Sequence, residues 1–217
     1  MLLDNRLFTR FAQLAQLLRA GAALLAIGLC VQQYLMAQEA LQGRFPAPCT
    51  SAAQDRQSEL AMLLQLGATI LAFLTLAAWM YRAYQNAHRL PGARPSHGPS
   101  MAVWGWLIPI ANFWYPCRIM NEIGLYTGRY AQPAEPPLSA TGWANLVGVW
   151  WVLHIGSYIM SYVANTLTSA AADNLEQLLV YDRMLLFSHL LSFGNAVATL
   201  VLLRLIAPYE QRLLVPQ

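Results

Sequence analysis

The residues best equipped for chemistry lie between Trp104 and Glu122. Arg118 and Glu122 stand four apart, so on a helix they share one face and can form an ion pair. Exposed to water, such a pair contributes about 0.2–0.5 kcal/mol. Shielded, it interacts more strongly but costs more to desolvate. Asn112 sits between Pro109 and Pro116 and is expected to cap a helix that begins just after it. Pro116 is tolerable near a helix start, where few backbone N–H groups have a partner to lose. Asn112, Glu122 and Asn86 are the polar groups that a transport cavity in this region would need.

Two histidines, His154 and His189, fall inside apolar stretches and raise the possibility of bis-histidine haem ligation. Depth argues against it: at about 1.5 Å per residue they differ by about 9 Å in level, and two axial ligands should be level. His88 and His97 flank Arg89 and Arg94, with no cysteine or carboxylate at zinc-ligand spacing. Together with Arg82 they form a modest basic patch suited to anionic headgroups. No metal and no cofactor is expected. Cys30, Cys49 and Cys117 have no metal spacing; Cys30 and Cys117 read as small buried hydrophobes, and Cys49 is placed in a polar loop. Hydrolase, metalloprotease and phosphate-loop motifs are absent, as are fixed-period repeats and any nucleic-acid-binding motif. No enzymatic activity is therefore expected.

The elements that must hold these residues are membrane spans. The chain has 217 residues, 57% hydrophobic and only 11% charged, with a mean hydropathy of +0.39. A soluble domain carries about a quarter charged residues. Four stretches, about 19–38, 60–82, 143–165 and 184–206, reach the roughly 20 apolar residues needed to cross a bilayer. The expectation is one all-α integral membrane domain over 1–217, with four transmembrane helices. A fifth, proline-broken segment at about 100–127 is interfacial or re-entrant. Polar loops separate the spans, among them one with Pro46, Pro48 and Ser51, one with Pro133, Pro136 and Pro137, and one with Asp173, Glu176 and Asp182. The N-terminal apolar run is too long for a cleaved leader and reads as the first span.

Lysine is absent and all 13 basic residues are arginine. With much Ala and Leu, this composition points to a GC-rich bacterial genome. With four spans, Arg6, Arg10, Arg19, Arg82, Arg89, Arg94, Arg204 and Arg212 share one side, against Arg44, Arg56 and Arg183. The positive-inside bias then puts both termini in the cytoplasm of an inner-membrane protein. A fully crossing fifth span would erase the bias, so the broken segment stays on the cytoplasmic side. Trp79, Trp104, Trp106, Trp114 and Trp143 suit the headgroup level there. Gln65, Asn145, Ser157, Ser161, Ser188, Ser192 and Asn195 read as helix-packing polar groups.

The run Trp79-Met-Tyr-Arg82-Ala-Tyr-Gln-Asn86 is followed by Gly105-Trp106, Pro109-Ile-Ala-Asn112-Phe-Trp114-Tyr-Pro116 and Glu122, then by Trp150-Trp151. This pattern resembles the bacterial membrane family called domain of unknown function 4328 over about residues 60–205. Leu107 departs from it, since the family usually carries an aromatic there. The resemblance implies a fold and no catalytic residue. Arg82, Asn86, Trp106, Pro109, Asn112, Trp114, Pro116, Arg118 and Glu122 are thus the motif residues of interest.

The leading functional expectation is a non-enzymatic accessory or scaffolding subunit of a membrane complex, contacting lipid and another membrane protein or itself. The runner-up is a small-solute transporter or channel that uses the broken segment. A haem or quinone redox carrier is the third reading.

Overall fold

Six α-helices account for nearly all of the described chain: α1 Arg6–Leu41, α2 Pro48–Arg89, α3 Met101–Leu107, α4 Tyr115–Tyr130, α5 Ala140–Ala171 and α6 Leu175–Arg212. A computed structural model describes residues 2–45, 48–131, 138–171 and 175–214, and no strand occurs among them. Pro46, Pro133, Pro136, Pro137 and Asp173 lie outside the described residues. Four helices are long and apolar enough to cross a membrane: Arg6–Leu41, Ala52–Arg89, Ala140–Thr166 and Glu176–Arg212. Each contains one predicted span and runs beyond it. The polar residues before Leu60 are therefore not a loop; α2 begins at Pro48, so Cys49 lies in its first turn. Proline is well suited to that turn, where its missing N–H would have no partner.

Local chemistry sets the helix ends. Gly43 adopts φ 76°, the left-handed conformation that glycine reaches without strain. There the Arg44 N–H donates to the Glu39 carbonyl and the Gly43 N–H to the Ala40 carbonyl, each at 3.0 Å, closing α1 in a Schellman motif. Gly92, at φ 77°, turns the chain after α2. α3 stops at Leu107 because Ile108 precedes Pro109 and is driven out of the helical region, to φ −82° and ψ 116°. A single 3-10 turn, Ala111–Phe113, then leads into α4.

The chain packs as two compact units. Unit 1 comprises residues 1–17, 70–151 and 197–217; unit 2 comprises 18–69 and 152–196. The core of unit 1 is built from large side chains, among them Trp79, Met80, Tyr84, Ile119, Met120, Ile123, Trp150 and Ile206. Unit 2 buries mostly small ones, including Ala22, Ala23, Ala26, Ala61, Ala68 and Ala164. Small residues let helix backbones approach closely in a membrane, where no hydrophobic force drives association. Ser161 and Ser188 share a hydrogen bond of 2.8 Å between α5 and α6, and the Ser188 hydroxyl also donates to the Ser157 carbonyl at 3.3 Å.

Candidate functional site

Unit 1 gathers the motif residues into a polar knot centred on Glu122. α4 carries Glu122 on the flank of its buried row of Ile119, Met120 and Ile123. The Tyr84 hydroxyl donates to Glu122 Oε2 at 2.6 Å, and the Ser96 N–H donates to the same oxygen at 3.0 Å. The Ser96 hydroxyl donates to Oε1. Arg118 Nε lies 3.6 Å from Oε1, and an Arg118 Nη2 hydrogen reaches the Ser96 hydroxyl at 3.1 Å. The expected ion pair is present, but it is one contact among several. Burial opposes the carboxylate charge. The Ser96 and Tyr84 hydroxyls, the Ser96 N–H and Arg118 outweigh it and hold Glu122 below the ordinary carboxylate range.

This knot pins the linker after α2 onto α4. The His97 N–H donates to the Tyr84 hydroxyl at 3.2 Å, and the Tyr126 hydroxyl donates to the Arg94 carbonyl at 2.8 Å. His88 lies between two carbonyls, with Nδ1 2.8 Å from that of Tyr84 and Nε2 2.8 Å from that of His97. The predicted basic patch is thus a folded turn whose backbone is fastened at several points. Among the described residues no group of three His, Cys, Asp or Glu side chains gathers at metal-binding distance.

Arg82 and Asn86 serve a second place in unit 1. Asn86 pairs with the backbone of Leu3 in both directions: its Oδ1 accepts the Leu3 N–H at 2.7 Å, and its Nδ2 donates to the Leu3 carbonyl at 2.8 Å. Arg82 donates to the Asp4 carbonyl at 2.8 Å, and its guanidinium lies 4.4 Å from the Phe8 ring centroid. Nearby, Arg6 holds the Asp4 carboxyl at about 2, below its usual range, through side-chain and backbone hydrogen bonds. Both motif residues therefore clamp the N-terminal segment and lie away from Glu122's ligands.

The aromatic part of the motif forms a nest. Trp106 is buried and meets Phe73, Trp150 and Trp151 edge-on, with centroids 5.6, 6.2 and 6.0 Å away. The Trp151 indole N–H donates to the Phe113 carbonyl at 2.8 Å, tying α5 to the 3-10 turn. Trp104 and Trp114, by contrast, are exposed. Pro116 is buried in the first turn of α4. Pro109 is exposed at the break itself.

The expected role of Asn112 is corrected. Asn112 does not cap α4. It lies inside the 3-10 turn, where its N–H donates to the Ile108 carbonyl at 2.8 Å. The cap position of α4 is Trp114, with no side-chain hydrogen bond to the helix. The reason is spacing: the extra turn between the prolines moves the helix start beyond Asn112's reach. Its Oδ1 is buried without a partner among the described residues.

Beside the knot, an open groove of about 750 Å³ runs between α4 and the start of α5. Phe113, Trp114, Trp143 and Trp151 supply aromatic walls; Arg118, Asn121, Glu122 and Arg129 supply polar groups. Glu122 therefore does face a groove, whereas Asn112 and Asn86 do not line it. Gly124 creates its floor, since a Cβ there would come within 2.1 Å of the Trp143 indole.

Three buried groups have roles that the sequence reading did not foresee. Glu210, near the end of α6 in unit 1, accepts from Asn5 Nδ2 at 2.9 Å, Trp79 Nε1 at 3.3 Å and the Thr9 hydroxyl at 3.4 Å. In unit 2 Arg19, only 8% exposed, donates to Asn195 Oδ1 at 2.8 Å and the Ser192 hydroxyl at 3.2 Å. Gln65 donates to that same hydroxyl at 3.4 Å, and His154 hydrogen-bonds Asn195. Arg19 Nε has no partner among the described residues. Arg19 is thus buried in a polar cluster and does not flank a span. His154 is engaged in that cluster and stacks edge-on against Tyr158, while His189 is half-buried elsewhere in the unit. Asp182, fully buried, has neither carboxylate oxygen paired among the described residues. The available signal was an ionisable residue at apolar spacing: Arg19 precedes an alanine-rich run, and Glu210 follows Pro208 at the end of a span.

No curated protein and no solved structure matches the chain. A family model, described as a domain of unknown function (DUF4328), matches residues 42–208. That range holds every motif residue of the Glu122 knot and the aromatic nest, and the chain belongs to this family.

Proposed function

We propose that this chain is a non-enzymatic accessory or scaffolding subunit of a bacterial inner-membrane complex, with both termini in the cytoplasm and the α3–α4 segment seated in the cytoplasmic interface. One observation carries the reading: the polar motif residues other than Asn112 are consumed by contacts within the chain, while apolar ones face outward. Glu122, Arg118, Arg82 and Asn86 all bind neighbouring segments. Leu107, Ile108, Ile110, Phe113 and Trp114 are exposed on the same stretch. A knot of this kind stabilises a shape, and the outward aromatic and apolar groups suit headgroup level or a partner helix. Extraction from native membranes in mild detergent, followed by native mass measurement, checks this. A co-purifying membrane protein or a defined homo-oligomer is expected; a lone monomer would overturn it.

Small-solute transport is the second reading, and unit 2 favours it. Arg19 and Asp182 are buried without an opposite charge paired to them among the described residues. Ionisable groups inside a membrane span are costly and commonly mark ion or substrate paths. Anion flux into proteoliposomes that disappears in Arg19→Met would establish this reading over the first. Absence of flux in the wild type would remove it.

A further inference from the structure

We propose that the groove between α4 and the start of α5 binds one anionic phospholipid, with its phosphate at Arg129 and an acyl chain laid against Trp143 and Trp151. The groove combines charged and aromatic lining. Arg129, in the last turn of α4, lines it together with Leu138 and Ala140. Phe113, Trp114 and Trp151 line the other end, where the Trp151 N–H fixes its ring on the Phe113 carbonyl. From Ala140 to Trp151 α5 advances about 16 Å. The groove therefore offers a cation at the Arg129 end and aromatic walls at the other, with Arg118, Asn121 and Glu122 also lining it, over a length that a headgroup and the upper part of an acyl chain can span.

Charge selects the headgroup. Among the described residues Arg129 has no hydrogen-bond or ion-pair partner, and it is exposed. Among the described residues that line the groove, Glu122 is the one carboxylate, and it is already held by Tyr84, Ser96 and Arg118. One arginine near the membrane surface favours an anionic lipid over a zwitterionic one by about fivefold. Gly124 and Gly128 keep the floor open: a Cβ at Gly124 would strike Trp143, and one at Gly128 would lie 3.1 Å from the Leu138 side chain. Any larger residue there would push those side chains into the space the chain occupies.

The test uses the full-length protein reconstituted in phosphatidylcholine vesicles that contain a small fraction of phosphatidylglycerol. Bromine is placed on the acyl chains of one lipid or the other, and tryptophan fluorescence is read. Quenching by brominated phosphatidylglycerol should exceed that by an equal fraction of brominated phosphatidylcholine by about fivefold. Arg129→Gln should erase the excess, and Arg118→Gln should leave most of it. Arg129 is exposed and holds no partner among the described residues, so Arg129→Gln should keep the wild-type thermal unfolding profile. Equal quenching by the two lipids in the wild type, or an excess that survives Arg129→Gln, overturns the proposal. So does loss of the excess on adding inorganic phosphate, which would mark a site for a soluble anion.

Discussion

Glu122 distributes one carboxylate over two hydroxyls, a backbone N–H and a guanidinium. Charge-assisted bonds of this kind are worth about 1.5–3 kcal/mol each, although shared acceptors do not add. Glu122→Gln keeps the shape, loses the charge and faces two hydroxyl donors with one acceptor. A loss of about 1–2 kcal/mol in detergent denaturation is expected. Amide exchange at Ser96 and His97 should rise, because their N–H groups donate to Glu122 and Tyr84. The pH dependence follows from the direction of the shift. Glu122 ionises below its ordinary value of 4.5, so its contribution is complete above about that pH and is lost as pH falls through the lowered value. Exchange protection of the linker should therefore persist at pH 5 and fade only in stronger acid. The Arg118–Glu122 pair could be read from spacing alone. Tyr84 and Ser96 could not, because they reach Glu122 from 38 and 26 positions away.

Among the elements, α4 shows how one glycine sets a helix contact. Gly124 lies under the buried Trp143 ring, whose N–H donates to the Met120 carbonyl at 3.2 Å. Gly124→Ala overpacks this contact, and a cost of about 1–3 kcal/mol is expected in thermal unfolding. Trp143→Leu should recover part of the loss in the double variant. A double-mutant cycle with no coupling between the two would show that the contact is not the cause. Trp106 anchors α3 through Phe73, Trp150 and Trp151, and Trp106→Ala should cost about 3–5 kcal/mol. The break at Pro109 was legible because proline rules act on adjacent residues. The helix start was misplaced at Asn112 because the intervening 3-10 turn depends on where α3 and α4 pack.

For the whole molecule, four apolar helices set the class, and arginine placement predicts the sidedness. In a variant with Cys30, Cys49 and Cys117 replaced by serine, Gln42→Cys should react with an impermeant thiol reagent from outside intact cells. Pro91→Cys should react only after the inner membrane is opened. The opposite pattern would reverse the orientation. Arg19 is best left out of that arginine count, because Asn195 and Ser192 hold it inside unit 2. The remaining arginines keep the same bias.

Sequence alone determined what depends on neighbours in the chain. Apolar length specified four spans, Pro109 specified a break, and the four-residue step from Arg118 specified its pairing with Glu122. Tertiary structure decided what depends on residues far apart. It sent Arg82 and Asn86 to the N-terminal segment, opened a groove beside Glu122 and left out Asn112. It also turned Arg19, Gln65, His154, Ser192 and Asn195 from separate polar residues into one cluster. The physical reason is that burial and hydrogen-bond partners are properties of helix packing, and helical periodicity gives a face without naming what it meets.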